Sequence, residues 1–360
     1  MRTDIYYWKC DNHSTSEEKK LSYFKDKYER DGLSGAVARA CEKIWGKGEI
    51  RAEPLQVDGN HFAFIVTGNG GKFFFRADDG GGDDEYMLAE SALMELAAEA
   101  GVPVPRLFST DVSRSHCPLR FQIMELCPEP SLSVHLRNGE LDMPATARQL
   151  GGMLRKLHTV ALDGFGFVNT AKLKTSGRIV GLDSAYRDYF FRRYDEHLDY
   201  LRRQGIMTYS VAVETALQIK RCDPMLELKQ GVLVHRDPAL WNILGTPSRI
   251  RAIIDWDDAV AGDPADDLGV LGCFHDDDFM NTLLDGYQGA GEALNPDFIS
   301  RIHLHTLRNM LWKTKLRHEL GYFEKGLDFF LNVIDPGTTL KEQTLAKLHS
   351  SLEKVKETTA

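Results

Sequence analysis

The sequence predicts an α+β fold in two lobes: a small lobe of mostly antiparallel strands with one helix, then a larger α-helical lobe. Three observations predict it. The chain has 360 residues, too many for one ordinary core and enough for two. Its first third carries short apolar runs that read as strands, around one strong helical stretch. Beyond Pro128 and Pro130 the pattern turns helical, apart from one region where short apolar runs end in polar groups.

Residues 1–45 read as an N-terminal extension, within which "SGAVARACEKIWG" is a short helix with Ser34 as candidate N-cap. Residues 46–127 form the small lobe. "HFAFIVTG" and "KFFFRAD", joined by "GNGG", read as a hairpin, and "DDGGGDDE" as an acidic loop. "EYMLAESALMELAAEAG" is helical, with Leu88, Ala92, Leu96 and Ala100 recurring every fourth residue and Gly101 as its stop. Phe121 to Leu126 is a buried strand. Residues 128–360 form the helical lobe, and "LHTLRNMLWKTKLRHEL" within it is amphipathic, with Trp312 and Leu316 facing a core.

Composition narrows the function classes. Hydrophobic residues make up 42% and charged residues 27%, as in ordinary globular chains. A net charge of −9 argues against nucleic acid as a partner. No apolar run is long enough to span a bilayer, and the first residues show no secretory h-region. Cys10, Cys41, Cys117, Cys127, Cys222 and Cys273 form no C-x-x-C pair, so they read as free thiols in a reducing compartment. A cytoplasmic protein is expected. Its oligomeric state is left open.

The chemistry is concentrated in "GVLVHRDPALWNILGTPSRIRAIIDWDDAVAGDP". Two apolar runs, "GVLV" and "IRAII", end at His235 and Asp255, and Asp237 and Asn242 lie between them. Asn242 and Asp255 are oxygen ligands suited to Mg2+, which leaves Asp237 to orient or accept a proton from a hydroxyl. That division of labour is the one phosphoryl transfer requires. "GNGGKF" is no P-loop, since it lacks the earlier Gly and has Phe73 where a Ser or Thr should reach Mg2+. Asp263 and Asp267 read as caps of the next helix. Asp276 to Asp278 read as a solvated helix start, and His275, His303, His305 and His318 have no metal-ligand spacing.

At "HRDPALWN" and "IIDWDDAVAGDPADDLG" the chain resembles the aminoglycoside phosphotransferase family, a protein-kinase-like group of small-molecule kinases. The resemblance covers roughly residues 50–330. It extends to "FQIMELC", similar to the interlobe hinge, and to "LGGMLRKLHTV", similar to the helix before the catalytic loop. "DGFGFV" and "SAYRDYF" are locally similar to hygromycin-type phosphotransferases. Neither D-F-G nor A-P-E of protein kinases is present.

The resemblance implies a protein-kinase-like fold with nucleotide binding in residues 46–127 and the acceptor site in the helical lobe. It implies transfer of the γ-phosphoryl group of ATP, or GTP, to a hydroxyl of a sugar, amino-sugar or aminoglycoside. Asp237 would be the catalytic Asp, Asn242 and Asp255 would hold Mg2+, and His235 would brace the loop. Glu90 would pair with a basic residue of the third strand. The backbone of Glu125 and Cys127, with Met124 beside them, would receive the adenine, and Leu244 would be part of its floor. Arg76 stands where protein kinases have Lys, with Lys72 a second candidate on the same face. The nucleotide loop "QVDGNHFAF" keeps only Gly59, with Asn60 beside it, and a bulky Trp241 stands in the catalytic loop. Asp257 lies close to Asp255 as a further carboxylate. Choline-, homoserine- and ketosamine-type kinases, and a non-catalytic nucleotide-binding protein of the same fold, are the alternatives.

Overall fold

The computed structural model describes residues 32–46, 48–55, 61–68, 70–78, 86–289, 294–329, 331–332 and 337–359. Helix α1 (Leu33–Trp45) opens them. Its N-cap is Gly32, in the left-handed region at φ 57°, rather than Ser34, which lies inside the helix. Leu33, Ala36, Val37, Ala40 and Cys41 recur on one face, and all are buried.

Strands β1 (Arg51–Pro54), β2 (Phe62–Gly68) and β3 (Gly71–Asp78) follow, then helix α2 (Tyr86–Glu99) and strands β4 (Leu107–Asp111) and β5 (Arg120–Glu125). They form one antiparallel sheet in the order β1-β2-β3-β5-β4. The β2–β3 hairpin closes with Gly68 opposite Gly71 and Gly70 at φ 76°, which only glycine adopts freely. Alternation sorts the side chains of this sheet. Phe62, Phe64, Val66, Phe75, Ala77, Phe121 and Ile123 share a core with α1. The polar positions between them, Arg76 and Gln122, meet α2 on the other face, at Glu90 and Ser91.

The helical lobe begins with α3 (Leu132–Arg137) and α4 (Met143–Leu157), then β6 (Ala161–Leu162), β7 (Phe165–Val168), α5 (Thr170–Ser176), β8 (Gly181–Asp183), α6 (Tyr186–Phe190), α7 (Tyr194–Arg203) and α8 (Tyr209–Arg221). Next come β9 (Gly231–Val234), the ribbon β10 (Ile243–Thr246) and β11 (Arg249–Ile253), and β12 (Val260–Gly262). Helices α9 (Pro264–Gly272), α10 (Asp277–Gln288), α11 (Pro296–Glu319) and α12 (Leu340–Thr359) complete it. A second small sheet runs β6-β9-β12-β7-β8. Helices α4 and α10 cross with their backbones in contact: a Cβ on Gly151 would stand 2.1 Å from the Leu283 oxygen, and one on Gly286 would stand 2.2 Å from that of Arg148. The large core takes in both sides of this crossing, α11 with Trp312, and the inner face of α2 through Tyr86, Ala89, Leu93 and Ala97. That helix therefore links the small sheet to the helical lobe, and the Tyr86 hydroxyl donates to the carbonyl of Ala259.

Candidate active site

Strand β9 is apolar and pairs with β12, Val234 lying opposite Val260. It carries His235, Arg236 and Asp237 to its end. What fixes the turn there is Asp267, on the first turns of α9. Its fully buried carboxylate accepts the backbone N–H of His235 at 3.0 Å, that of Arg236 at 2.7 Å, and His158 Nε2 at 3.1 Å. His158 in turn meets the Tyr287 hydroxyl through Nδ1 at 2.9 Å. Burial alone would raise the Asp267 pKa, but these donors, His158 foremost, outweigh it and hold the carboxylate below its usual range. Arg236 adopts φ 72°, a left-handed conformation, and its guanidinium pairs with Asp266. Asp263 caps α9 as expected, accepting from Ala265 N–H at 3.0 Å. Asp267 does not cap it; the carboxylate points back into the loop before β10.

His235 has one tautomer available. The Asp237 N–H donates to its Nδ1 at 3.2 Å, so Nε2 carries the proton and donates to the Ile254 carbonyl at 3.1 Å. Burial pushes its pKa down against the pull of Asp267 and Asp237, in keeping with a neutral ring. The ring therefore ties Asp237 to the residue before Asp255. Asp237 Oδ2 accepts from Asn242 Nδ2 at 2.9 Å and from Trp241 Nε1 at 3.3 Å. Asn242 Nδ2 also reaches the Asp237 carbonyl at 3.0 Å. Among the described residues the Asn242 amide oxygen accepts no hydrogen bond, which leaves it for a ligand.

The ribbon brings the second part of the site alongside. Ile243 pairs with Ile253, and the Ile254 N–H donates to the Asn242 carbonyl at 2.9 Å, so Asn242 and Asp255 lie at one end of the ribbon. Asp255 has φ 65° and a side chain 42% exposed. Arg76 lies across from it. Its Nη1 pairs with Glu90 and donates to Gln122 Oε1 at 3.2 Å. Its Nη2 is 2.6 Å from His61 Nε2, 3.5 Å from Asp255 Oδ1 and 4.0 Å from Asp257 Oδ2. Burial would lower the Arg76 pKa; Glu90, Asp255 and Asp257 outweigh it and keep the group charged. Burial, and then Arg76, push the His61 pKa down, so its Nε2 is the acceptor in this contact.

One donor atom each from His61, Asp255 and Asp257 fall within 4.8 Å of one another. Two carboxylates with the Asn242 amide oxygen form a hard donor set that fits a divalent cation of the Mg2+ kind. Arg76 thus sits against Glu90 in the position expected of the third-strand basic residue, while Lys72 is exposed.

The remaining expected positions line up along β5 and the ribbon. Met124 is buried near the end of β5, with Glu125 the last residue of that strand. The Glu125 N–H donates to the Arg106 carbonyl at 2.8 Å, and its carboxylate accepts from Arg251 Nη2 of β11 at 2.9 Å, joining hinge to ribbon. Cys127 is half-buried, and Leu244 bridges to Ser131 just past the hinge. Gly59 and Asn60 lie outside the described residues. Asp276 caps α10, accepting the Phe279 N–H at 2.9 Å, and Asp277 pairs with Lys354, so the acidic run is a helix start. Sequence reasoning missed His61, Gln122, Asp266 and the loop-bracing role of Asp267. The doubled Asp in "DPADDLG" is the one local signal, since a first turn rarely needs three carboxylates.

A search of curated proteins finds no match. Among solved structures, aminoglycoside phosphotransferase APH(4)-Ia superposes with TM-score 0.60 at 16% identity, covering 89% of this chain and 98% of the other. A thermostable mutant of that enzyme, in ternary complex with AMP-PNP and hygromycin B, gives 0.56 at 17% identity with coverage of 89% and 98%. A choline/ethanolamine kinase family protein from Mesorhizobium loti gives 0.53 at 20%, with coverage of 88% and 98%. At such identities the likeness speaks for the fold, the two-lobed protein-kinase-like arrangement. A model described as "Phosphotransferase enzyme family" matches residues 53–299, which include every side chain of the site just described, and the chain belongs to that family.

Proposed function

We propose that the chain transfers the γ-phosphoryl group of ATP to a hydroxyl of a sugar or amino-sugar. The observation that carries this reading is the shared hydrogen bond between Asp237 Oδ2 and Asn242 Nδ2 at 2.9 Å, on a ribbon whose end also bears Asp255. One polar loop thereby offers a carboxylate for a hydroxyl and, beside it, oxygen ligands for a metal–nucleotide complex. The acceptor oxygen attacks the γ-phosphorus, the bond from that phosphorus to the bridging oxygen of ADP breaks, and the hydroxyl proton passes to Asp237. Asn242 and Asp255 would hold Mg2+, with Asp257 and His61 in reach, and the ion supplies neutralisation of phosphate charge when bound. Arg76, fixed by Glu90, would reach the phosphates. The adenine would lie at the hinge against Met124, Glu125 and Cys127, over Leu244, and Gly59 and Asn60 are the further residues the sequence offers for the nucleotide. Most of the barrier reduction then comes from positioning and charge stabilisation. The neighbour solved with AMP-PNP and hygromycin B supports a nucleotide donor and, more coarsely, a small-molecule acceptor.

The test is thermal stability with ATP and with GTP, each with and without Mg2+, in wild type and in Asp255→Ala. A ligand at about 100 times its Kd stabilises by about 2.7 kcal/mol, enough to read as a melting shift. A Mg2+-dependent shift lost in Asp255→Ala is expected. Asp237→Asn should keep the shift and lose turnover. An Asp237→Asn protein with wild-type turnover would refute the assignment, and one that binds nucleotide with no acceptor turnover in wild type either would favour a non-catalytic nucleotide-binding protein.

A further inference from the structure

The cavity beside the Asp237 loop is built for an uncharged ring better than for a polycation. Leu136, Leu240, Trp241 and Phe274 line it, together with His275 and Asp276. Trp241 and Phe274 meet edge to face with centroids 4.9 Å apart. Positive charge already stands against Phe274: Lys313 Nζ is 4.7 Å and Arg317 Cζ 5.7 Å from its centroid. Asp276 is the carboxylate of this lining, and it is engaged as the cap of α10. Several ammonium groups would find one carboxylate in this lining, already engaged as a cap, and an aromatic wall whose Phe274 has cations packed against it from elsewhere. A sugar ring would find aromatic and aliphatic walls for the C–H groups of its apolar face.

Trp241 belongs both to that wall and to the reacting group. Its indole N–H donates to Asp237 Oδ2 at 3.3 Å, alongside Asn242 Nδ2 at 2.9 Å. Both donors act on one oxygen, and Oδ1 has no hydrogen bond among the described residues. A carboxylate pinned through one oxygen presents the other in a fixed direction.

We propose, resting on the phosphotransferase reading above, that Trp241 is a positioning and acceptor-selecting residue: its N–H holds Asp237 so that Oδ1 meets the acceptor hydroxyl, and its ring is the wall for a sugar carrying at most one positive charge. The chain then discriminates against polycationic aminoglycosides.

The full chain labelled with 15N at its five indoles tests this directly. Trp241→Phe identifies the Trp241 resonance by its loss. Asp237→Asn should move that resonance more than any other indole; an unmoved Trp241 signal overturns the contact. With Mg2+ and AMP-PNP present, D-glucose or D-glucosamine should shift it at lower concentration than hygromycin B. Tighter binding of hygromycin B, or no shift with either sugar, overturns the selecting role. With the better sugar as acceptor, Trp241→Phe should lower kcat about tenfold, the weight of one hydrogen bond to a charged group, with the acceptor KM within about twofold. Trp241→Leu should lower kcat and also raise that KM. Wild-type kcat in Trp241→Phe overturns the positioning role. A missing melting shift with Mg2+ and AMP-PNP would instead sink the underlying phosphotransferase reading, whereas a retained shift with an unmoved Trp241 signal sinks this proposal alone.

Discussion

Asp267→Asn is the most informative single change in the loop. The native carboxylate is buried and takes three donors, the His235 and Arg236 N–H groups and His158 Nε2. An amide of the same shape offers one acceptor oxygen and turns an NH2 towards an N–H. That oxygen can keep two donors at most, so one is stranded. Losing a hydrogen bond to a charged group weighs about 1.5–3 kcal/mol, and stranding a buried donor about 1–3 kcal/mol. The sum is about 3–5 kcal/mol, a large share of the stability of a typical domain. Part of the effect is conformational. Arg236 at φ 72° is held in a region that disfavours side chains, and the bond from its N–H to Asp267 Oδ1 is what holds it. Released, the loop relaxes towards an extended backbone and takes Asp237 with it. The pH dependence has a definite sign. The Asp267 pKa is depressed on folding from 3.8, so its contribution is full above about pH 4 and is lost as pH falls through the folded value. Urea unfolding followed by tryptophan fluorescence reads both effects. The variant should lose about 3–5 kcal/mol near neutral pH and show a shallower acid limb. A loss below about 1 kcal/mol, or an acid limb identical to wild type, refutes the idea that this carboxylate is the brace of the loop.

Three further outcomes are expected. His275 is buried and held neutral, its pKa pushed down to about 3 by burial and by Lys347, so stability should fall as pH drops below 6.5 because the unfolded chain takes up a proton first. At about pH 5 that amounts to about 2 kcal/mol, and His275→Asn should remove it from the difference between urea midpoints at about pH 8 and about pH 5. Gly286→Ala drives a methyl into the Arg148 carbonyl where α4 and α10 cross, and should cost about 3 kcal/mol or more, seen as a melting temperature several degrees lower. Glu90→Gln leaves the Arg76 guanidinium without its closest carboxylate, and should shrink the melting shift given by Mg2+ with ATP while leaving the shape of the unbound transition unchanged.

The parts of the site that were legible in the sequence are those fixed by local period. Asp237, Asn242 and Asp255 fall at the ends of short apolar strands, and strand ends are where a buried backbone releases side chains to a cleft. Alternation along "KFFFRAD" put Arg76 on the face away from Phe75, and α2 covers that face. What the sequence did not disclose depends on packing between distant elements. Asp267 reads as one more acid in a helix's first turn; its role exists because β9 and α9 meet. The Trp241 bulk was visible, but the short turn over Leu240–Asn242 decides that its N–H reaches Asp237. Ser34 had the chemistry of a cap, yet a Gly32 already in the left-handed region starts the helix earlier.

Arg76 joins the two kinds of information. As a letter it is a departure from the Lys expected at that place in protein kinases. As geometry it is one half of a contact whose other half is His61. A guanidinium has two terminal nitrogens in one plane, and here one serves Glu90 and Gln122 while the other serves His61 and faces Asp255 and Asp257. An ammonium, a single point donor, could satisfy the Glu90 side or the His61 side but could not span both. His61 is tolerable in this place because its pKa is pushed down and its Nε2 accepts rather than repels. An Arg with a neutral His beside it is therefore a self-consistent set, and the change at position 76 does not by itself argue that the site has lost its charge or its aim.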